Sequence, residues 1–144
     1  QMKISQNDIY QEVLKMDGVE IDTNSTPDGS MKRADLLISD ISGITYEFAF
    51  ILEKPVIVID HPEKNIGALE GHFLRDVKSL RDLCEDFIIR VKPSEMGNLN
   101  TIIESTINKD LTNKIRGPRK EFIYNWGNAG ATAAHQIKEI LQCI

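Results

Sequence analysis

The sequence has no excess of positive charge, only two cysteines and no long apolar run, and each shortage excludes a class of protein. Its 144 residues carry 17 lysines and arginines against 22 aspartates and glutamates. The resulting net charge of −5 argues against a nucleic-acid-binding surface. Cys84 and Cys143 lie far apart in apolar stretches without Cys-x-x-Cys or histidine spacing, so we expect reduced core thiols and no metal site. No apolar run approaches the ~20 residues of a membrane span and no secretory start is present, which predicts a cytoplasmic chain.

The composition, 41% hydrophobic and 27% charged, is ordinary for a globular protein. A chain of this length has room for one domain with a substantial core. We therefore predict a single domain over residues 1–144. Because the chain starts Gln1-Met2 and soon enters a predicted helix, we interpret it as a fragment of a longer protein.

The segment over residues 34–60 organises the chain as one βαβ unit. It predicts a strand at 36–38, a turn at 39–43, a helix at 44–52 and a second strand at 56–59. Both strands are continuous apolar runs, which is typical of a parallel sheet covered on both faces. The fold class predicted is therefore α/β, a parallel sheet flanked by helices.

Polar residues follow the first of these strands, where open α/β sheets bind ligands. Asp40, Ser42 and Gly43 fall at the carboxyl end of the strand, and the last two also open the helix. A helix start with glycine offers unpaired N–H groups to an anion, so we predict a phosphate there. Glu47 is predicted to flank the buried face of the helix, where ribose hydroxyls would satisfy its carboxylate. The alternative is a glutamate that merely complements the helix dipole.

Outside the βαβ unit the sequence offers further candidate ligand contacts and further predicted helices and strands. His61 lies on the same predicted rim as Ser42 and is a candidate ligand contact, or simply a solvated side chain. The basic residues Arg116, Arg119 and Lys120 could contact a phosphate or an anionic acceptor, although a solvated basic face is the commoner explanation. The other predicted elements are a helix at 4–16, strands at 19–22 and 87–91, and helices at 73–85, 94–107, 111–124 (broken at Gly117-Pro118) and 129–144.

The central segment resembles the nucleotide-binding segment of the CDP-glycerol:poly(glycerophosphate) glycerophosphotransferases. These enzymes polymerise teichoic acid and have the GT-B glycosyltransferase fold. In that comparison the family's aspartate corresponds to Asp40, its serine pair to Ser42 and Gly43, and its acid to Glu47. The sequence departs from the family at Ile41, where the family has tyrosine, and at Gly43, which removes one hydroxyl.

The resemblance implies the carboxyl-terminal, donor-binding half of such an enzyme, with a three-layer Rossmann-like sheet and C-terminal helices. The donor would be CDP-glycerol or a similar CDP-polyol, and the acceptor an anionic polymer of the teichoic acid type. The acceptor site and the catalytic base would come from an N-terminal domain that this chain lacks, so the isolated chain should be inactive. No cofactor or metal is implied. The parent enzyme would act in the cytoplasm, at the inner face of the membrane.

Two alternatives stay open. The Ser-Gly version of the motif is also similar to the Asp-x-Gly-Gly segment of UDP-N-acetylglucosamine 2-epimerases and other GT-B enzymes, which use UDP-sugars. The second alternative is a non-catalytic phosphate-binding or receiver-like signalling module, because an aspartate after a strand and a Lys-Pro pair occur there. In a receiver, however, Lys-Pro follows a strand, whereas Lys54-Pro55 precedes one.

Overall fold

A computed structural model describes residues 6–60 and 80–142 of the chain. The chain divides into two compact units, Gln1–Arg33 and Ala34–Ile144. The single domain over residues 1–144 stays a prediction.

The first unit contains two short helices, α1 (Gln6–Val13) and α2 (Asp28–Arg33). The strand predicted at 19–22 is wrong, because these residues form no regular structure. The Asp22 carboxylate instead accepts hydrogen bonds from the backbone N–H of Asn24 (2.9 Å), from the Asn24 amide (2.6 Å) and from the Ser30 hydroxyl. Such local side-chain bonds stabilise a turn at the expense of an extended ladder. They also lower the pKa of Asp22, with the Ser30 bond as the largest cause.

The second unit is built on a parallel three-stranded sheet, as far as the described residues show. Its strands are β1 (Leu37–Ser39), β2 (Val56–Ile59) and β3 (Ile88–Val91), in the order β1-β2-β3. The predicted strands at 36–38, 56–59 and 87–91 are thus confirmed to within a residue. The prediction of a mixed α/β fold, with a small parallel sheet flanked by helices, is also confirmed.

Helix α3 (Gly43–Leu52) connects β1 to β2 and supplies much of the core. Phe48 and Ala49 are fully buried, as are Val56 and Ile57 of the central strand. Lys54 donates a hydrogen bond of 2.5 Å to the Ala34 carbonyl, which joins the residue before β1 to the connection between α3 and β2. The unit therefore holds the junction between β1 and α3 in a defined position against the core.

Four more helices follow β2 in the described part of the chain. They are α4 (Leu80–Leu83), α5 (Leu99–Ile107), which a 3₁₀ helix (Pro93–Asn98) precedes, α6 (Thr112–Phe122) and α7 (Ala129–Gln142). The part of the predicted helix 73–85 that precedes Leu80 lies outside the described residues. None of the helices within residues 6–60 and 80–142 combines the length and apolar character needed to cross a membrane.

The break predicted at Gly117-Pro118 is wrong, because α6 continues through both residues. Proline removes the hydrogen bond to the carbonyl four residues earlier, here that of Lys114. Lys114 and Gly117 are both exposed, so water can satisfy that carbonyl. The buried Ile115 meanwhile anchors the helix to the core. Tertiary packing therefore outweighs the local cost of the proline.

Candidate functional site

The amino end of α3 lies directly after the carboxyl end of β1, as the sequence predicted. Ser42 precedes the helix in an extended conformation (φ −152°, ψ 154°), and its side chain makes no capping hydrogen bond. Its carbonyl instead accepts the N–H of Thr45 (3.2 Å) and the Thr45 hydroxyl (2.6 Å). The helix start is thus held by a backbone carbonyl, and capping does not use the Ser42 hydroxyl.

Gly43 is the first residue of α3, and the space beside it is open. A Cβ built on Gly43 would meet no heavy atom within 4 Å, and its φ lies outside the left-handed region. The fold therefore does not require glycine here for backbone geometry or for packing. What glycine provides is access to the N–H groups of Gly43 and Ile44, the first two of the helix, which have no helical carbonyl to bind and carry the positive end of its dipole.

Asp40, Asp60 and Arg90 lie at the same carboxyl edge of the sheet as Ser42. Asp40 is exposed in the turn after β1 and takes part in an interaction within the chain. Asp60 follows β2, and its N–H donates to the Val91 carbonyl at 2.8 Å. The Arg90 guanidinium lies 3.9 Å from the Asp60 carboxylate, with both side chains mostly buried. This edge therefore carries charges of both signs.

Arg90 is a candidate functional residue that the sequence interpretation missed. The sheet register places Ser39, Val58 and Arg90 in one row across the three strands. Strands lie about 4.8 Å apart, so the Arg90 backbone is roughly 10 Å from that of Ser39. The buried Arg90 Nε has no hydrogen-bond partner among the described residues. The available signal was a charged residue within the apolar run Phe87–Val91, a position that buried strands rarely give to arginine.

Glu47 is exposed, whereas the sequence interpretation expected it at the edge of the buried face. The expectation that burial forces a partner on this carboxylate is wrong, because water can solvate it. The buried face of α3 instead includes Thr45, Phe48 and Ala49. A ribose contact by Glu47 stays a prediction that rests on position alone.

Glu47 also lines an open cavity of about 210 Å³ beside α3. The cavity lies between α3 and the carboxyl end of α6, and its lining is aromatic and aliphatic apart from Glu47. The lining residues are Tyr46, Glu47, Phe50, Ile51, Phe122, Ile123 and Trp126. We refer to it as the aromatic cavity. The sequence interpretation did not find it, because its walls come from segments about 70 positions apart in the chain.

The predicted basic contacts lie at the other end of α3, roughly 15 Å from Ser42 along a ten-residue helix. Arg116 binds the Glu53 carboxylate through Nε and Nη2, at 2.9 Å and 2.7 Å. Arg119 lies 2.8 Å from the same carboxylate, donates to the Phe50 carbonyl at 2.8 Å, and sits 4.5 Å from the centre of the Trp126 ring. The structure does not bring these side chains together with Ser42.

These contacts have a structural explanation. Glu53 ends α3 in the left-handed conformation (φ 55°), which costs energy in a residue other than glycine. The two guanidinium groups stabilise its carboxylate, and Arg119 also satisfies one of the last carbonyls of the helix. The hydrogen bond from Arg116 is the largest cause that lowers the pKa of Glu53. Lys120 is exposed on α6, and His61 lies outside the described residues. A phosphate or acceptor contact by this basic group stays a prediction.

Among the residues that the structure describes, no group of three or more histidines, cysteines or acids could hold a metal ion. A scan against protein-family models, a search of curated proteins and a search of solved structures each found no match to this chain. The family resemblance therefore rests on the sequence motif alone.

Proposed function

We propose that the unit Ala34–Ile144 binds the diphosphate of a nucleotide-activated donor at the amino end of α3. We further propose that it is the donor-binding half of a GT-B transferase similar to the CDP-glycerol glycerophosphotransferases, with a three-layer Rossmann-like architecture. The observation that carries the proposal is the open backbone at Ser42 and Gly43, at the carboxyl end of a parallel strand. Phosphate groups bind readily at such positions in α/β proteins.

The amino end of α3 can bind an anion in three ways. The N–H groups of Gly43 and Ile44 can donate charge-assisted hydrogen bonds, each of which contributes about 1.5–3 kcal/mol. The helix dipole adds roughly 0.3–1 kcal/mol for a negative charge near the first turn. The Ser42 hydroxyl, which capping does not use, can supply a further donor. Together these terms favour a diphosphate at this position.

Arg90 adds one guanidinium group at this edge of the sheet, beside the Asp60 carboxylate. Its guanidinium is separated from Asp60 by 3.9 Å, which is too long for a hydrogen bond to that carboxylate. A guanidinium in that position can form further hydrogen bonds, and a phosphate oxygen is a suitable acceptor. In this proposal Arg90 neutralises part of the charge on the diphosphate.

Glu47 is placed to contact the nucleoside. It lies one helical turn after Gly43, roughly 6 Å along the α3 axis. A donor whose diphosphate sits at Gly43 can bring its ribose hydroxyls to an exposed carboxylate at that distance. Glu47 would then accept one or two hydrogen bonds and orient the donor.

The reaction proposed for the parent enzyme is the transfer of glycerol phosphate. An acceptor hydroxyl attacks the β-phosphorus of CDP-glycerol, a new O–P bond forms, and the bond to the bridging oxygen breaks to release CMP. The proton of the attacking hydroxyl passes to a base. The helix dipole and Arg90 would stabilise the charge that grows on the leaving phosphate. Because the acceptor site and the base would lie in another domain, this chain should bind the donor without turning it over.

Thermal denaturation with added nucleotide tests the proposal. A ligand at 100 times its Kd stabilises a protein by about 2.7 kcal/mol, which is a shift of several degrees in Tm. We expect CDP-glycerol and CDP to raise Tm, and CDP to raise it more than CMP or UDP does. A larger effect of UDP would support a nucleotide-sugar enzyme. The absence of any shift with all four nucleotides at millimolar concentration would contradict the proposal.

A further inference from the structure

The sequence contains two Asp-Gly pairs, Asp17-Gly18 and Asp28-Gly29, and the structure gives them different backbone conformations. In such a pair the glycine nitrogen can attack the side-chain carboxyl carbon of the aspartate, because glycine has no Cβ to hinder the approach. All of these residues are exposed, so access of water does not distinguish the two pairs. Their relative reactivity therefore depends on how firmly each backbone is held.

Asp17 and Gly18 lie in a turn beyond the end of α1. The N–H groups of Lys15 and Met16 still donate to carbonyls three residues earlier, at 3.1 Å each. Gly18 then takes a left-handed conformation (φ 76°), and a Cβ built on it would meet no heavy atom within 4 Å. An exposed turn of this kind opens readily, so rotation about the Cα–C bond of Asp17 can bring the Gly18 nitrogen to the side-chain carbon.

Asp28 and Gly29 begin helix α2, and their backbone is held more firmly. The Met31 N–H donates to the Pro27 carbonyl at 2.9 Å, across the pair. The Arg33 Nη1 lies 3.7 Å from the position that a Cβ on Gly29 would take, so this side chain covers the glycine. Helical dihedral angles fix the Cα–C bond of Asp28, and the attack requires this turn to open first.

We propose that Asp17-Gly18 is a site of spontaneous aspartate isomerisation in the folded chain, and that the fold protects Asp28-Gly29 from the same reaction. A bond forms between the Gly18 nitrogen and the side-chain carbon of Asp17, and the C–OH bond of the protonated carboxyl group breaks. The hydroxyl leaves with the proton of the nitrogen as water, which gives a cyclic succinimide. Water then opens the ring at either carbonyl, and opening at the backbone carbonyl gives isoaspartate.

The product changes the main chain between α1 and the turn around Asp22. The chain now runs through the former side chain of Asp17, which adds one methylene group to the backbone and retains the negative charge. Such a residue is the kind of substrate that isoaspartate-repair methyltransferases accept. The reaction needs no reactant besides water and no residue of α3, so it is independent of the proposed nucleotide site.

The test incubates the full chain for several weeks at neutral pH in water enriched in the heavy isotope of oxygen. Each passage through the succinimide adds one labelled oxygen atom to the aspartate concerned. Trypsin cuts after Lys15 and Lys32, so one peptide, residues 16–32, contains both pairs, and its fragment ions assign the label. We expect Asp17 to gain label at least about fivefold faster than Asp28, because only the second reaction requires a helix to open. In the isolated peptide, which lacks the fold, the two rates should be similar.

Variants identify the source of the isoaspartate. Asp17→Glu keeps the charge but would have to form a larger, slower-closing ring, so we expect it to remove the methylation of the aged chain by a repair methyltransferase. The matched control is Asp28→Glu, which should leave that methylation unchanged. The proposal would be overturned by absence of label at Asp17, by equal or faster labelling of Asp28 in the folded chain, or by loss of methylation in Asp28→Glu.

Discussion

Replacement of Gly43 by alanine separates the proposed role of this glycine from its role in folding. A methyl group on Gly43 would meet no heavy atom within 4 Å, and the residue already has a helical conformation. A Gly→Ala change at a compatible position stabilises by about 0.4–1 kcal/mol, mainly through the unfolded chain. We therefore expect Gly43→Ala to raise Tm by roughly 1–4 °C in the absence of nucleotide.

The same methyl group would stand where a phosphate approaches the first helical turn. Loss of one charge-assisted hydrogen bond costs about 1.5–3 kcal/mol, which corresponds to a roughly 10- to 100-fold weaker affinity for CDP. Isothermal titration calorimetry measures this loss. Gly130→Ala is the matched control, because Gly130 lies in the first turn of α7 and also has open space beside it. A Gly43→Ala variant that binds CDP as well as the Gly130→Ala control would refute the reasoning.

Three further results are expected. Glu47→Ala should weaken CDP binding by at least about 1 kcal/mol, the scale of one hydrogen bond to a charged group, and an unchanged calorimetric Kd would remove Glu47 from the site. Arg116 lowers the pKa of Glu53 below its ordinary value of 4.5, so the stability from this carboxylate is present above pH 4.5 and is lost as the pH falls through the lower folded-state pKa. The Tm of the wild type should accordingly exceed that of Glu53→Gln at pH 7, and the difference should shrink in acid; a constant difference would contradict this. Burial raises the pKa of the Cys84 thiol from 9.0 to about 12, so in a Cys143→Ser background a thiol reagent at pH 8 should label Cys84 only on unfolding.

The βαβ unit could be predicted from the sequence because each of its signals is local. The elements follow from two apolar runs, a turn with Ser42 and Gly43, and the stop at Lys54-Pro55. All of these signals lie within a span of about 20 residues. The structure places β1, α3 and β2 within a residue of the predicted bounds. The position of Ser42 and Gly43 between β1 and α3 follows from the same local signals.

Predictions that depended on distant contacts were less successful. The strand at 19–22 was wrong for a local reason, because the Asn24 backbone and side chain bond to Asp22 and form a turn. The break at Gly117-Pro118 was wrong because packing of Ile115 holds the helix together. The binding of Arg116 and Arg119 to Glu53 joins residues more than 60 positions apart, which no local pattern encodes. The same separation explains why the aromatic cavity could not be found from the sequence.

The exposure of Glu47 shows how a helical face can be misassigned. A periodicity of 3.6 residues placed Glu47 beside Phe48 and Ile51 on one face. In the structure Ile51 is 59% exposed, and the buried face is rotated toward Thr45 and Ala49. A helix with apolar residues on nearly all sides does not define its buried face by sequence alone.

The central claim is that bare backbone N–H groups at the start of α3 hold a diphosphate. The amide resonances of Gly43 and Ile44, followed by NMR during a titration with CDP, test this claim most directly. We predict that these two amides shift downfield and saturate together, since each would donate a hydrogen bond to a phosphate oxygen. The account would be contradicted if CDP binds saturably and shifts resonances elsewhere, but leaves the chemical shifts of both amides unchanged.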